Sequence, residues 1–256
     1  MRFRFAQRQF QIKMAKYEFD EVKHRHTLDG KSLTGCTTIL GVIAKPALIP
    51  WAANMVANCI KEKADFYHKP DSDINYYYVS EELLEEARTA HSKRKDKAGE
   101  WGTKLHAEVE RYILNTMAID GNAIDKTEYD PSISQFIEWA KRNNVKFLAS
   151  EKNVYSEQMW TGGIVDFICE IDGKRWVGDI KSSGSGIYAE NFWQTSGYDL
   201  MLQEMGEPPA DGYLILNIKE NGEFNEKRNI SVEENQKAFL SCLNIYRTLE
   251  KIKSNL

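Results

Sequence analysis

The rhythm of apolar and polar positions changes near residue 144. Before that point, apolar residues recur at helical spacing inside strongly charged stretches. After it, they crowd into short runs rich in Val, Ile, Phe and Tyr, which is the pattern of strands. Residues 17–30, "YEFDEVKHRHTLDG", predict a hairpin or short strands turned at Asp29-Gly30. Residues 32–67 predict helix, with Ser32 or Thr34 as cap and a break around Pro46 and Pro50. A second helix then runs from about Trp51 to Phe66. "HKPDSDINYYYVS" reads as a polar loop. Ser80 caps the next helix, with Glu81 and Glu82 in its first turn, where negative charge is favourable. Gly99 and Gly102 are expected to divide that stretch into two helices. "DGNAIDKTEYD" predicts a loop, and Pro131 opens a further helix through Asn143.

Residues 145–156, 160–171 and 174–182 predict three consecutive strands, the last two joined by a tight turn at Asp172-Gly173. A helix from about Ile187 to Met205 follows. "DGYLILNIKE" is almost wholly apolar, as suits a strand buried on both faces. A last helix runs from about Val232 to Lys253. The order helix, three-stranded antiparallel meander, helix, strand, behind a helical extension, predicts an α/β fold. On this reading residues 1–98 form an N-terminal hairpin and helical extension, and residues 99–256 form the core with its C-terminal helix.

Composition narrows the class. The chain has 256 residues, 42% hydrophobic and 28% charged, which suits one large globular domain with an appendage. No apolar run approaches the roughly 20 residues of a membrane span, so no membrane partner is expected. The opening "MRFRFAQRQFQIKMAKYEF" is basic without an apolar core and is not read as a secretory signal. Cys36, Cys59, Cys169 and Cys242 are widely spaced. They predict no disulfide framework and no zinc knuckle, and with them a reducing, cytoplasmic location. The net charge of −4 excludes coating of nucleic acid by bulk charge but leaves room for a local basic path.

Three groups of residues carry candidate chemistry. Asp166 and Asp179 flank the Asp172-Gly173 turn symmetrically, so a hairpin centred there brings them close to opposite one another. Two carboxylates at contact distance repel unless a cation lies between them or one stays protonated. Oxygen ligands of this kind suit Mg²⁺ or Mn²⁺. Lys181 lies two residues from Asp179 and shares its strand face. Its amine can orient or deprotonate a water, or stabilise charge on a phosphate. The plain alternative is an ion-pair network at a strand end. In "GTKLHAEVERY", His106 and Glu110 are four apart on one helix face, within reach of a metal or its water, or simply a surface pair. In "NFWQTSGYDLML", Gln194 and Tyr198 are likewise four apart. They can hydrogen-bond a phosphate or a base without adding charge, or form the polar edge of a core helix. The stretch "RTAHSKRKDKAGEWGTK" brings Arg88, Lys93, Arg94, Lys95, Lys97 and Lys104 to the His106 helix, as a backbone path or a solvated face. Trp101 and the Tyr76-Tyr77-Tyr78 run suit packing better than base stacking.

Taken together, "GTKLHAEVE", "GGIVDFICEIDGKRWVGDIKSS" and "QTSGYDLML" resemble the PD-(D/E)XK nuclease superfamily, and within it RecB-like exonucleases and related phage nucleases. The likeness covers about residues 99–220. "GKSLTGCTTILGVIAKPALIPWAA" is also similar to the opening of phage-type members. The resemblance implies a restriction-endonuclease-like core and metal-dependent hydrolysis of DNA, by an exonuclease of phage or recombination and repair type. A non-cleaving DNA-end-binding module and a structure-specific endonuclease are the alternatives. It implies that Asp166, Asp179 and the carbonyl of Ile180 bind Mg²⁺ or Mn²⁺, that His106 joins them, and that Lys181 assists the attacking water. Glu110 would be a ligand or support one, and Glu151 an accessory acid. Gln194 and Tyr198 would contact DNA, with Lys93, Arg94 and Lys104 along its backbone. Some relatives hold an iron–sulfur cluster through one cysteine before the core and three close together after it. Here only Cys242 follows the core, so no cluster is expected.

Overall fold

The computed structural model describes residues 16–68, 75–118, 128–184 and 186–255. The basic opening, and parts of the loops expected at 68–80 and 120–130, lie outside those residues. The chain begins with β1 (Tyr17–Asp20), β2 (Arg25–Leu28), β3 (Lys31–Ser32) and β4 (Thr34–Gly35), then α1 (Cys36–Leu40) and α2 (Leu48–Lys63). Short strands form at 17–30 as expected, but the β1–β2 hairpin turns at residues 21–24, and Asp29-Gly30, both at positive φ, turns β2 into β3 instead. Ser32 and Thr34 do not cap a helix. They sit in β3 and β4, and α1 starts after Gly35 with no side-chain cap. Pro50 does not break α2 because it is the third residue, where its missing N–H has no helical partner to lose.

Another hairpin follows: β5 (Asp65–His68), which takes the end of the stretch expected to be helical, and β6 (Asn75–Tyr78), within the expected polar loop. Then comes α3 (Glu81–Met117), 37 residues long. Ser80 caps it as expected, its hydroxyl accepting from the Leu83 N–H at 3.2 Å. Gly99 and Gly102 do not divide it. A glycine inside a helix costs only about 1 kcal/mol, and Leu105, Val109, Tyr112 and Ile113 bury the second half of α3 against the sheet. Gly102 has a packing reason as well, since a Cβ there would lie 3.0 Å from Ser182 Oγ. Residues 98 and 99 are consecutive positions of α3, where an extension was expected to give way to a core. A 3₁₀ turn at Pro131–Ile133 leads into α4 (Ser134–Arg142).

The rest is β7 (Lys146–Ser156), β8 (Thr161–Ile171), β9 (Lys174–Lys181), α5 (Ala189–Glu204), β10 (Gly212–Ile218), β11 (Phe224–Asn229) and α6 (Val232–Lys253). β7, β8 and β9 form the expected antiparallel meander. The turn is held by positive φ at both Asp172 and Gly173, as a two-residue hairpin loop requires. β10 joins β9 in parallel, β11 joins β10 antiparallel, and β4 extends the sheet beside the start of β8. The sequence reading had no β11.

This mixed sheet separates two apolar clusters. One packs Ile39, Val165, Val177, Tyr198, Met201, Ile215 and Phe239 between the sheet and α1, α5 and α6. The other packs Leu105, Ile113, Phe136, Trp139, Phe167, Ile180 and Leu214 under α3 and α4. The result is a mixed α/β fold of three layers. Neighbouring odd-numbered residues of β8 should face one side of the sheet. Val165 faces α5, yet Phe167 and Cys169 face α3. The alternation therefore slips at Asp166. On β7, Glu151 has φ +43° and lies between the pairs Ser150–Phe167 and Lys152–Val165. Glu151 and Asp166, opposite one another between those pairs, mark where the candidate site lies.

Candidate active site

Asp166 and Asp179 sit one step beyond the last ladder pair of their hairpin, Phe167–Gly178. Both are buried. Asp166 Oδ2 accepts the Ile180 N–H at 2.5 Å. Its other oxygen, Oδ1, lies 3.7 Å from His106 Nδ1, which reaches it from α3. Glu151 Oε1 stands 3.4 Å from the same nitrogen. One ligand atom from each of His106, Glu151 and Asp166 can be chosen so that all lie within 4.8 Å of one another, a spacing that could hold a metal ion. An imidazole and two carboxylates are donors that Mn²⁺ accepts readily, and that Mg²⁺ accepts mainly through the oxygens.

The electrostatics reflect the crowding. Burial and the nearby Asp179 carboxylate push Asp166 up to about 7. Burial alone would lower His106, but the carboxylates of Asp166 and Glu151 outweigh it and raise the imidazole to about 9. Glu110 is raised by partial burial and by Glu151. A cation at the centre would relieve this repulsion, and that is a physical reason for the group to take one.

Lys181 closes the other side. Its Nζ lies 3.0 Å from Asp179 Oδ1 and 2.8 Å from Oδ2, and only the first contact has hydrogen-bond geometry. It also donates to Gln194 Oε1 at 3.1 Å. Burial opposes the charge on Lys181, but Asp179 and Asp166 outweigh it, so the amine is raised and stays an ammonium. The Gln194 amide in turn donates to the Tyr198 hydroxyl at 2.7 Å. Gln194 and Tyr198 are both buried, so their polar atoms are spent inside the protein rather than offered outward. Tyr198 packs against Gly163, where a Cβ would come within 2.5 Å of its ring.

The remaining expected residues are more scattered. Ile180 is buried in the α3-side cluster, and its described polar contact is the N–H to Asp166. Glu110, one turn beyond His106, lines a shallow depression of about 200 Å³ with Arg111 and Asn115. Lys104 is tied to Asp130 at 2.6 Å. Lys93 lies 3.9 Å from Glu86, and Arg94 is exposed beside it on α3. Cys36 and Cys242 lie in the α5-side cluster and Cys169 in the other. Sequence reasoning missed Asn217. It pairs in register with Lys181, is fully buried, and neither atom of its amide has a protein hydrogen-bond partner. Its signal was one polar side chain in the otherwise apolar run "YLILNI".

No family model and no curated protein matches the chain. Among solved structures, one described as "Crystal structure of SSO0001" aligns over 43% of this chain and 56% of its own, with 13% identity and a TM-score of 0.25. The chain thus spans little more than half the length of that neighbour. No helix among the described residues is long and apolar enough to cross a membrane.

Proposed function

We propose that the chain is a divalent-metal-dependent deoxyribonuclease of the PD-(D/E)XK type, with a restriction-endonuclease-like core formed by α3, the β7–β9 meander, α5 and β10. The observation that carries this reading is the convergence of His106, Glu151 and Asp166 on one point, with the Asp179–Lys181 pair beside them. An ion pair at a strand end needs no imidazole and no third acid.

Bound Mg²⁺ or Mn²⁺ would polarise the scissile phosphate and lower the pKa of its water. His106, Glu151 and Asp166 would supply the donors, with Asp179, paired to Lys181, beside them. Lys181 is held as an ammonium by two carboxylates and by Gln194. In that state it suits orienting the water and neutralising charge on the phosphate better than removing a proton. Gln194 and Tyr198 fix where that ammonium points. The exposed cations of α3 suit the approaching phosphodiester backbone. The four free cysteines suit a reducing, cytoplasmic setting.

End-labelled linear DNA and closed circular DNA, each with Mg²⁺, Mn²⁺ or EDTA, test the reading beside Lys181→Ala and Asp179→Ala. Metal-dependent loss of the linear form alone, abolished by both substitutions, is the expected result and makes the enzyme an exonuclease. Cutting of the circle makes it an endonuclease. Binding of ends without cleavage of either form overturns the enzyme and leaves a binding module.

A further inference from the structure

The β5–β6 hairpin carries five aromatic rings, and none is packed away. Phe66, Tyr67, Tyr76, Tyr77 and Tyr78 are 46–59% exposed. The register pairs Phe66 with Tyr77 and Tyr67 with Tyr76. Partners in register share a face, and successive residues alternate, so the two pairs lie on opposite faces of the ribbon. Each pair is also a ring contact, with centroids 5.3 Å and 5.5 Å apart. Both faces of the ribbon are thus aromatic and wet. A two-stranded ribbon with no cover gains little from such residues by folding alone, and packing, which the sequence favoured, is not their use here.

β6 ends two residues before Ser80, the cap of α3. Along α3 the stretch 88–97, "RTAHSKRKDK", holds Arg88, Lys93, Arg94, Lys95 and Lys97 against one acid of its own, Asp96, while Arg88, Lys93 and Lys97 lie within 4 Å of Glu85, Glu86 and Glu220 and keep exposed side chains. His106, at the candidate site, follows on the same helix. From Glu81 to His106 the helix rises roughly 40 Å at about 1.5 Å per residue. Basic stretch and acidic site therefore share one helix, and the aromatic hairpin leads into its N-terminal end. Aromatic platforms beside a cationic track are the pairing that holds single-stranded nucleic acid, because every base has a face to stack and every nucleotide a phosphate.

We propose that the β5–β6 hairpin is a stacking platform for single-stranded DNA, which it holds while the same strand runs past the α3 cations to the site at His106. The proposal rests on the nuclease reading for its choice of ligand and adds the form of the substrate: a single strand, or a duplex with a single-stranded end. It also sets a length. At the duplex spacing of about 3.4 Å per nucleotide, roughly 40 Å corresponds to at most about a dozen nucleotides, and to fewer in an extended strand, so affinity should rise steeply within that range and level off beyond it.

Fluorescence anisotropy in EDTA, with labelled oligothymidine of 6 to 24 nucleotides and a blunt 24-base-pair duplex, separates binding from cleavage. Tyr76→Ala and Tyr77→Ala are expected to weaken binding of the long single strand about tenfold or more each. Tyr76→Phe and Tyr77→Phe, which keep the ring, should stay within about twofold, and blunt-duplex affinity should not move. Circular dichroism melting confirms that each variant is folded. Single-strand affinity unchanged in both alanine variants overturns the proposal, as does an equal loss on blunt duplex. Loss of a dimer in the alanine variants, with single-strand affinity intact, overturns it in favour of a protein contact. The two readings fail separately: a wild type that cleaves DNA but ignores the hairpin substitutions keeps the nuclease and loses the platform. A wild type that binds single strands through the hairpin without cleaving any DNA does the reverse.

Discussion

Glu151 reaches His106 across the interface between sheet and helix, with Oε1 3.4 Å from Nδ1, from a strand position whose φ is +43°. Non-glycine residues in that region are strained, and such positions gather at functional sites. The strain coincides with the slip of alternation at Asp166, so the backbone irregularity and the three converging donors are one feature. Glu151→Gln keeps the shape and removes the charge. It should weaken Mn²⁺ binding by at least about tenfold, as read by calorimetric titration. Unchanged affinity would remove Glu151 from the metal centre.

Without metal, the same cluster makes stability depend on pH. Asp166 is raised from an ordinary value of 3.8 to about 7. Between those limits the folded chain holds a proton that the unfolded chain releases, so stability falls as pH rises through that window. His106 is raised from 6.5 to about 9. Its contribution is fully present below pH 6.5 and is lost as pH rises through about 9. Asp166→Asn removes the first slope. In EDTA its unfolding free energy should match wild type near pH 4 and exceed it above pH 7 by on the order of a few kcal/mol, as read by chemical denaturation. Parallel curves across that range would show that Asp166 is not raised.

How much of this was legible in the sequence depended on what each feature rests on. The Asp172-Gly173 turn was readable because both residues tolerate positive φ and the flanking runs are strand-like, and the meander followed from it. The division of α3 was misread because two glycines look like a break, whereas four buried residues beyond them decide the matter. The β5–β6 hairpin was hidden in a stretch whose polar residues suggested a loop. Glu151 looked like a solvated strand residue, since nothing in "LASEKNV" announces a positive φ. The i,i+4 rule placed Gln194 and Tyr198 on one face correctly but could not say which way that face points. It points inward.

Lys181 neutralises a buried pair of acids as well as serving the proposed reaction. Lys181→Ala should abolish cleavage. In EDTA it should also cost about 3 kcal/mol of stability, because Asp179 is left buried without its partner. Added Mn²⁺ should return much of that loss, since it supplies the missing positive charge. Chemical denaturation with and without Mn²⁺ measures both effects. A variant as stable as wild type in EDTA would show that the ion pair matters little to the fold.

Gln194 gives the sharpest division between two roles. If it contacts DNA, as the family resemblance implies, Gln194→Ala should raise KM and spare kcat. The geometry argues the reverse: the amide oxygen holds the Lys181 ammonium at 3.1 Å and the amide nitrogen is spent on Tyr198. Freed from Gln194, the ammonium keeps its charge and loses its aim, and small misplacements of a reacting group can cost about a hundredfold. Gln194→Ala should therefore lower kcat by roughly 10- to 100-fold with KM little changed. Gly163→Ala approaches the same contact from the other side. A Cβ there meets the Tyr198 ring at 2.5 Å, within a packed core where the ring has little room to retreat. Displacing Tyr198 removes the acceptor that fixes the amide, so Gly163→Ala should reproduce the kcat loss without touching any group that meets substrate. It should also cost stability by about 1–3 kcal/mol from overpacking. A rise in KM alone for Gln194→Ala, with Gly163→Ala kinetically silent, would return the pair to the DNA surface.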